Sequence, residues 1–331
     1  GRFQDQLIDT MSGRYNPLQY LFLTYTMLLT GLSLDDPTLR HMLRKNAILN
    51  PGHFHYYIYY IGSEGKSNLS PEEKKSISES YFETFNLITL FLNGNDIQQL
   101  AQYIVADKTV FNKKNDDSNM PRSYVYYISG TPGTGKTSSL NLLTDFTIRD
   151  EFQDPHREEL YQSDDKLSEN ERKELDKWIE RQFKIRNMQI LETSFESCIQ
   201  LVDRSSIDPI CFVDNEDMAR NERAKELLKI YNKGLVKGKV IVLEADMREL
   251  FLRLNKRNPN TRSQNFNYPK SYIKEILGEF ERLFPKKDYK YISTTGKRLP
   301  AVVKEIAHEI FFGEYKETDL LKILDEVSEE R

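Results

Sequence analysis

The stretch of sequence that decides the fold reads Gly130-Thr131-Pro132-Gly133-Thr134-Gly135-Lys136-Thr137. It fits the Gly-x-x-x-x-Gly-Lys-Ser/Thr pattern, in which glycines let backbone N–H groups turn toward phosphate groups. The lysine of this pattern reaches the β- and γ-phosphates, and its hydroxyl residue binds magnesium. We therefore expect ATP and Mg²⁺ as cofactors. The predicted nucleotide-binding residues are Gly130, Thr131, Pro132, Gly133, Thr134, Gly135, Lys136, Thr137 and Ser138.

The sequence on either side of this loop alternates between strand and helix patterns. Tyr124–Ser129, rich in aromatic and β-branched residues, predicts a strand that leads directly into the loop, and a helix-forming run follows it. Further predicted strands, separated by helical segments, are Cys198–Val202, Lys239–Glu244 and Tyr289–Ser293. Such alternation predicts an α/β domain with a mainly parallel sheet flanked by helices.

The first third of the chain reads mainly as helix. Predicted helices cover Pro17–Leu32, Asp36–Ile48 and Ser70–Leu92, and the last begins with a Ser cap followed by Pro and two acids. His53–Ile61 is dense in aromatic residues and fits either a strand or a buried helix.

A polar, turn-rich stretch, Asp107–Arg122, separates the two parts and predicts a loop or linker. We therefore expect a mainly α-helical N-terminal domain with its linker over residues 1–120 and a phosphate-loop domain over residues 121–331. The N-terminal domain is the expected contact for a protein partner or for a second copy of the chain.

Composition excludes several classes of protein. The 331 residues carry 47 Lys and Arg against 51 Asp and Glu, a formal net charge of −4, which argues against a general nucleic-acid coat. The most apolar stretch, Pro17–Leu32, is shorter than the ~20 residues that a membrane span needs. Only two cysteines occur, so we expect an intracellular, reducing environment, in the cytoplasm or nucleus. Because the chain starts at Gly1 and not at Met, we expect a processed fragment.

Two acids follow predicted strands and are candidates for chemistry at the phosphate loop. Asp154, before a proline, can act as a general base for a hydroxyl nucleophile, although Asp-Pro is also a common turn. Asp203 follows Cys198–Val202 and can hold magnesium, while Arg204 can pair with phosphate or with the base. The alternative for this second pair is a surface ion pair.

Two helical segments supply further candidates. Arg253 and Arg257 are four residues apart on one predicted helix face, and Arg262 follows in a loop. Such a cluster can close over phosphates, although a charge run can also be a solvated face. Gln182 on another predicted helix can bind a pyrimidine edge bidentately, or it can simply be solvated on an amphipathic helix.

The order of these motifs resembles the deoxynucleoside kinases, including the thymidine kinases of herpesviruses. Asp203–Phe212 is similar to a herpesviral Asp-Arg-His-Pro stretch, and Val240–Arg262 is similar to the strand and lid of the family. The resemblance covers about residues 124–312 and implies a P-loop kinase fold, a nucleoside or nucleotide substrate, and a virus-encoded protein as one origin. The family usually has Glu at the position matched here to Asp154.

The resemblance also implies roles for individual residues. Asp154 would be the general base for the 5′-hydroxyl, and Asp203 would lie near magnesium together with Thr137. The remaining catalytic residues that it implies are Arg204, Arg253, Arg257 and Arg262.

Other functions fit parts of the sequence. The loop also resembles that of AAA+ ATPases, in which case Ile210–Val213 would be a strand ending in a magnesium acid, Asp214. Thymidylate kinase shares the Asp-Arg and lid pattern. A kinase-derived protein that only binds a nucleotide is a third alternative.

Overall fold

The computed structural model describes residues 17–62, 69–118, 120–121, 123–154, 168–193, 198–212, 220–231, 234–256 and 270–330. The chain divides into two compact units. One comprises Gly1–Met120, Leu142–Asp145 and Ala307–Phe312, and the other comprises Pro121–Asn141, Phe146–Ile306 and Gly313–Arg331. Within the described ranges, no helix has the length and apolar character needed to cross a lipid bilayer.

The N-terminal unit contains a three-stranded parallel sheet in the order β1-β2-β3. Its elements in chain order are α1 (17–24), β1 (Leu28–Leu29), α2 (Pro37–Leu49), β2 (His55–Tyr60), α3 (Pro71–Phe85), β3 (Leu87–Leu92), α4 (Gly94–Val105) and α5 (Lys108–Asp117). Helices make up most of the described part, as predicted, whereas the sheet was not predicted.

Local capping explains where two predicted helices begin. The Asp36 side chain accepts hydrogen bonds from the backbone N–H groups of Thr38 and Leu39, which starts α2. Ser70 and Glu73 cap α3 reciprocally, as a capping box. The predicted starts of both helices are confirmed.

Three predictions for this part of the chain are wrong. The helix predicted over Ser70–Leu92 ends at Phe85, because Asn86 adopts a left-handed conformation with φ 55° and a strand follows it. The helix predicted over Pro17–Leu32 ends at residue 24. Asp107–Arg122 is not a loop throughout, because the Asp107 side chain accepts hydrogen bonds that cap α5. His53–Ile61, left open above, forms β2.

The second unit is built on a five-stranded parallel sheet in the order β5-β6-β4-β7-β8. Its elements in chain order are β4 (Ser123–Ser129), α6 (Lys136–Leu140), β5 (Thr147–Arg149), α7 (Glu169–Thr193), β6 (Cys198–Asp203), a 3-10 helix (Asp208–Cys211), α8 (Arg220–Tyr231), β7 (Lys239–Glu244), α9 (Met247–Asn255), α10 (Lys270–Leu283), β8 (Lys290–Ser293), α11 (Leu299–Phe312) and α12 (Leu320–Ser328). The part of α11 from Ala307 onward is assigned to the first unit. The predicted α/β fold with a parallel sheet flanked by helices is confirmed.

The strand that leads into the phosphate loop lies at the centre of this sheet. Buried side chains of β4, β6 and β7 pack with those of α7, α8, α10 and α12. Because β6 is the neighbour of β4, the two carboxyl ends meet at one edge of the sheet, where open α/β folds bind ligands.

The AAA+ alternative predicts a strand at Ile210–Val213, and this prediction is wrong. Residues 208–211 form the 3-10 helix, which begins at Asp208-Pro209. The strand beside β4 is Cys198–Asp203 instead. Asp214 lies outside the described residues.

Candidate functional site

The phosphate loop begins where β4 ends. Gly130, Gly133 and Gly135 have φ values of 124°, 87° and 89°, which side chains rarely adopt. A Cβ on Gly130 would also lie 2.1 Å from the carbonyl oxygen of Leu243 on β7. The glycines of the motif are therefore required by the backbone of the loop.

Lys136 is enclosed by this loop. Its Nζ donates hydrogen bonds to the carbonyl oxygens of Gly130 at 2.6 Å and Thr131 at 2.8 Å. Burial, together with the nearby cation Arg204, lowers the pKa of Lys136. The ammonium therefore lies inside the loop, where a phosphate group would partner it.

Thr137 and Asp203 meet at the ends of α6 and β6. The Thr137 hydroxyl donates to Asp203 Oδ2 at 2.5 Å. Asp203 is buried, and its Oδ1 has no hydrogen-bond partner in the described part of the chain. Burial raises the pKa of Asp203, which the nearby Lys136 opposes. One hydroxyl and one carboxylate next to a phosphate site are oxygen donors of the kind that Mg²⁺ prefers, so these residues fit the ion.

Arg204 follows directly and forms an ion pair that the sequence did not predict. Its Nε lies 2.7 Å from Glu151 Oε1, and its guanidinium lies 5.0 Å from the centre of the Phe212 ring. The residue has a φ of 69°, and its backbone N–H donates to Ile128 O on β4. Burial alone would raise the pKa of Glu151, but the attraction of Arg204 and its hydrogen bond lower it overall.

Asp154 and Gln182 contact each other rather than Arg204. Gln182 is fully buried on α7, and its Oε1 accepts hydrogen bonds from the backbone N–H groups of Gln153 and Asp154, each at 2.9 Å. Its Nε2 donates to Asp154 Oδ2 at 2.6 Å. Bidentate pairing of Gln182 with a pyrimidine would have to break these bonds, and the base-binding role stays a prediction. The carboxylate beside Arg204 is Glu151, three residues before the exposed Asp154.

Sequence reasoning missed two residues of this site. Glu151 follows β5, a strand of only three residues whose bounds were not predicted, and the Glu usual in the resembling family was the available signal. Arg186 is buried on α7 and donates to Asp203 O at 3.0 Å and to Glu151 O at 3.4 Å. A charged residue at helical spacing from the buried Phe183 could have revealed it.

Arg253 reaches the phosphate loop through the backbone. Its guanidinium donates to Gly133 O at 3.2 Å and to Thr294 Oγ1 at 2.9 Å, and it also pairs with Glu249 one turn away. The predicted lid residues Arg257 and Arg262 lie outside the described residues.

The central strand, the glycine loop, and the Lys136 and Thr137 contacts define a P-loop protein with a five-stranded parallel sheet. No protein-family model and no curated protein sequence match the chain. Among solved structures, thymidylate kinase from Candida albicans is 14% identical over 59% of this chain and 95% of its own, with a TM-score of 0.42. Deoxyadenosine kinase from M. mycoides with bound dATP is 15% identical over 57% and 98%, with a TM-score of 0.40. Shikimate kinase from Acinetobacter baumannii is 13% identical over 57% and 94%, with a TM-score of 0.35. At these scores the likeness identifies neither a family nor a substrate.

Proposed function

We propose that the protein transfers a phosphoryl group from ATP to the 5′-hydroxyl of a nucleoside or deoxynucleoside, in the manner of a thymidine kinase. The ion pair between Glu151 and Arg204 carries this proposal. It puts a carboxylate at the carboxyl edge of the sheet, next to the phosphate loop, where a hydroxyl nucleophile needs a general base. We assign that role to Glu151 in place of Asp154.

The residues around the loop take complementary roles in this proposal. Lys136 binds the β- and γ-phosphates, and Thr137 and Asp203 would hold Mg²⁺, which neutralises phosphate charge when bound. Glu151 accepts the proton of the hydroxyl, while Arg204 fixes the orientation of that carboxylate. Arg253 holds the loop backbone at Gly133.

The ion pair favours a hydroxyl acceptor over a phosphate acceptor. Arg204 would be the natural partner of the phosphate on a nucleoside monophosphate, but its charge is already matched by Glu151. A phosphate placed there would also meet the Glu151 carboxylate, and like charges repel. A neutral nucleoside meets neither obstacle, so we place thymidylate kinase activity second.

Aromatic side chains beside Glu151 offer a stacking surface for a nucleobase. The ring of Phe152 lies 5.1 Å from that of Trp178 and is stacked at 6.4 Å on that of Phe183, measured between centroids. Stacking on aromatic residues tolerates different bases, because every base has a π-face. We infer a substrate that carries a planar base.

A panel of nucleosides with ATP tests the proposal through nucleoside-dependent formation of ADP. We expect Glu151→Gln to lower kcat by about 10²–10⁴-fold, the usual contribution of a general base, with little change in ATP affinity. Glu180→Gln, on the solvent side of α7, is the matched control and should leave kcat unchanged. Intact ATP binding without stimulation by any nucleoside would refute the proposal.

A further inference from the structure

A third acid, Asp208, lies buried behind the phosphate loop and has no role in the mechanism above. Its side chain is fully buried, and Oδ1 accepts a hydrogen bond of 2.7 Å from the hydroxyl of Ser129. Oδ2 has no partner of good geometry among the residues that the structure describes. Ser129 is the last residue of β4, so Asp208 binds the side chain of the residue that directly precedes the loop. The Ser205 hydroxyl also acts on this carboxylate, but a buried acid with one poorly bonded oxygen costs stability, so packing alone does not explain it.

The buried charges around Asp208 sum to zero only if the Asp208 carboxylate is ionised. Lys136 and Arg204 both donate to the carbonyl oxygen of Gly130, the residue after Ser129, and Arg186 donates to Asp203 O. The acids among these cations are Asp203, Glu151 and Asp208. Without a charge at Asp208, three cations would face two carboxylates.

The groups that act on Asp208 come from several elements. Arg204 and Lys136 attract its charge, and the neutral Cys211 and Tyr231 also lie within electrostatic range. Burial raises the pKa of Asp208, and Arg204 opposes that rise. Glu151 in turn is acted on by Arg204, Lys136, Arg186 and Asp203.

We propose that Asp208 is a positioning residue that shares the charge of Arg204 with Glu151 and thereby keeps Glu151 basic enough to accept a proton. The inference rests on the proposed function, because it assigns Glu151 as the base. An ionised Asp208 also offsets part of the Lys136 charge, and it therefore weakens the attraction of the loop for a triphosphate. Asp208 thus supports the chemical step and opposes nucleotide binding.

Asp208→Asn separates this role from a structural one. The amide keeps the shape and an oxygen that can accept from Ser129, but it removes the charge. We expect ATP to bind about threefold more tightly while kcat falls by about tenfold. The acidic limb of the kcat profile should move to lower pH by about one unit, because Arg204 then has one carboxylate fewer to neutralise and acts more strongly on Glu151. Below the pKa of Asp208, variant and wild type should converge.

Ser129→Ala is the companion variant, since it removes the hydrogen bond and keeps the charge. In this variant the acidic limb of the kcat profile should stay at the same pH as in the wild type. A purely structural role for Asp208 would overturn the proposal. It would show itself if Asp208→Asn bound ATP more weakly, had a lower kcat, and left the acidic limb of the kcat profile at the wild-type pH. Unchanged affinity and unchanged kcat would show that Asp208 carries no charge, which overturns it as well.

The affinity measurement needs no phosphoryl acceptor, so the two proposals fail separately. If no nucleoside stimulates ADP formation, the proposed function fails, and tighter ATP binding by Asp208→Asn still supports charge sharing at the loop. If the wild type phosphorylates a nucleoside and Asp208→Asn neither tightens ATP binding nor moves the limb, only the inference about Asp208 fails.

Discussion

Each of the two units buries an ion pair or ionic cluster, and the two differ in how completely their charged atoms are partnered. In the N-terminal unit, His53 Nδ1 contacts Asp145 Oδ1, and His53 Nε2 lies 3.2 Å from Tyr25 O. Asp145 Oδ2 accepts the backbone N–H of Phe54 at 2.7 Å. Both nitrogens and both oxygens of this pair therefore have protein partners.

The cluster at the phosphate loop is open by comparison. Asp203 Oδ1 and Asp208 Oδ2 are buried, and neither has a hydrogen bond of good geometry within the described ranges, while Lys136 is held by backbone carbonyls. Leaving such atoms unpaired costs about 1–3 kcal/mol each, so packing alone would not select them. A fully partnered pair serves the fold, whereas an open cluster is built for a ligand or for chemistry.

The largest expected effect comes from removing the cation of the open cluster. Lys136→Met would leave the acids of the loop without their central cation and remove the phosphate contact. Breaking a buried charge pair costs about 3–5 kcal/mol, so ATP affinity should fall by about 10²–10⁴-fold in calorimetric titration. Lys184→Met on the exposed face of α7 is the control and should bind ATP normally. Equal affinity in the two variants would show that Lys136 does not contact phosphate.

The second-largest expected effect is on stability, and it tests how tightly the backbone of the phosphate loop is constrained. Gly130→Ala combines a left-handed φ of 124° with a Cβ 2.1 Å from Leu243 O, so the free energy of unfolding should fall by about 2–4 kcal/mol. Gly278→Ala is the control, because a Cβ there meets no atom within 4 Å and alanine favours the α10 helix. Thermal melts that rank the two variants in the opposite order would contradict this account of the loop.

Some features of the two units could be predicted from the sequence, and others could not. The loop motif and the strands beside it have strong local signals, and these led to Thr137 and Asp203, which the structure brings within hydrogen-bond distance. Ser70 was likewise recognised from its own neighbours, as the start of α3. Features that depend on local chemistry were therefore accessible.

Contacts made across the fold were not accessible. Glu151 is identified by Arg204, which is distant in sequence, and its short strand β5 has no distinctive pattern. Asn86 ends α3 because its amide donates to the carbonyls of Asn50, Pro51 and His53, and no local signal shows those partners. Gln182 accepts hydrogen bonds from the backbone N–H groups of Gln153 and Asp154, and these partners likewise lie far from it in sequence.

The smallest expected effect tests the fully partnered pair. Both ring nitrogens of His53 face acceptors, which requires a doubly protonated ring, and the hydrogen bond to Asp145 raises the pKa of His53 despite burial. The stabilisation should therefore be complete below pH 6.5, the ordinary value for His, and should be lost as the pH rises through the raised pKa of the folded state.

Asp145→Asn removes the charge on one side of this pair and keeps the shape. At pH 6 we expect the amides of β2 to exchange hydrogen faster than in the wild type, corresponding to a loss of about 2 kcal/mol, typical for a hydrogen bond between charged groups. The difference between the variant and the wild type should narrow at high pH, where His53 is neutral in both proteins. A difference that stays constant from pH 6 to high pH would mean that the charges of His53 and Asp145 do not stabilise the pair. Only the cluster at the phosphate loop would then depend on charge.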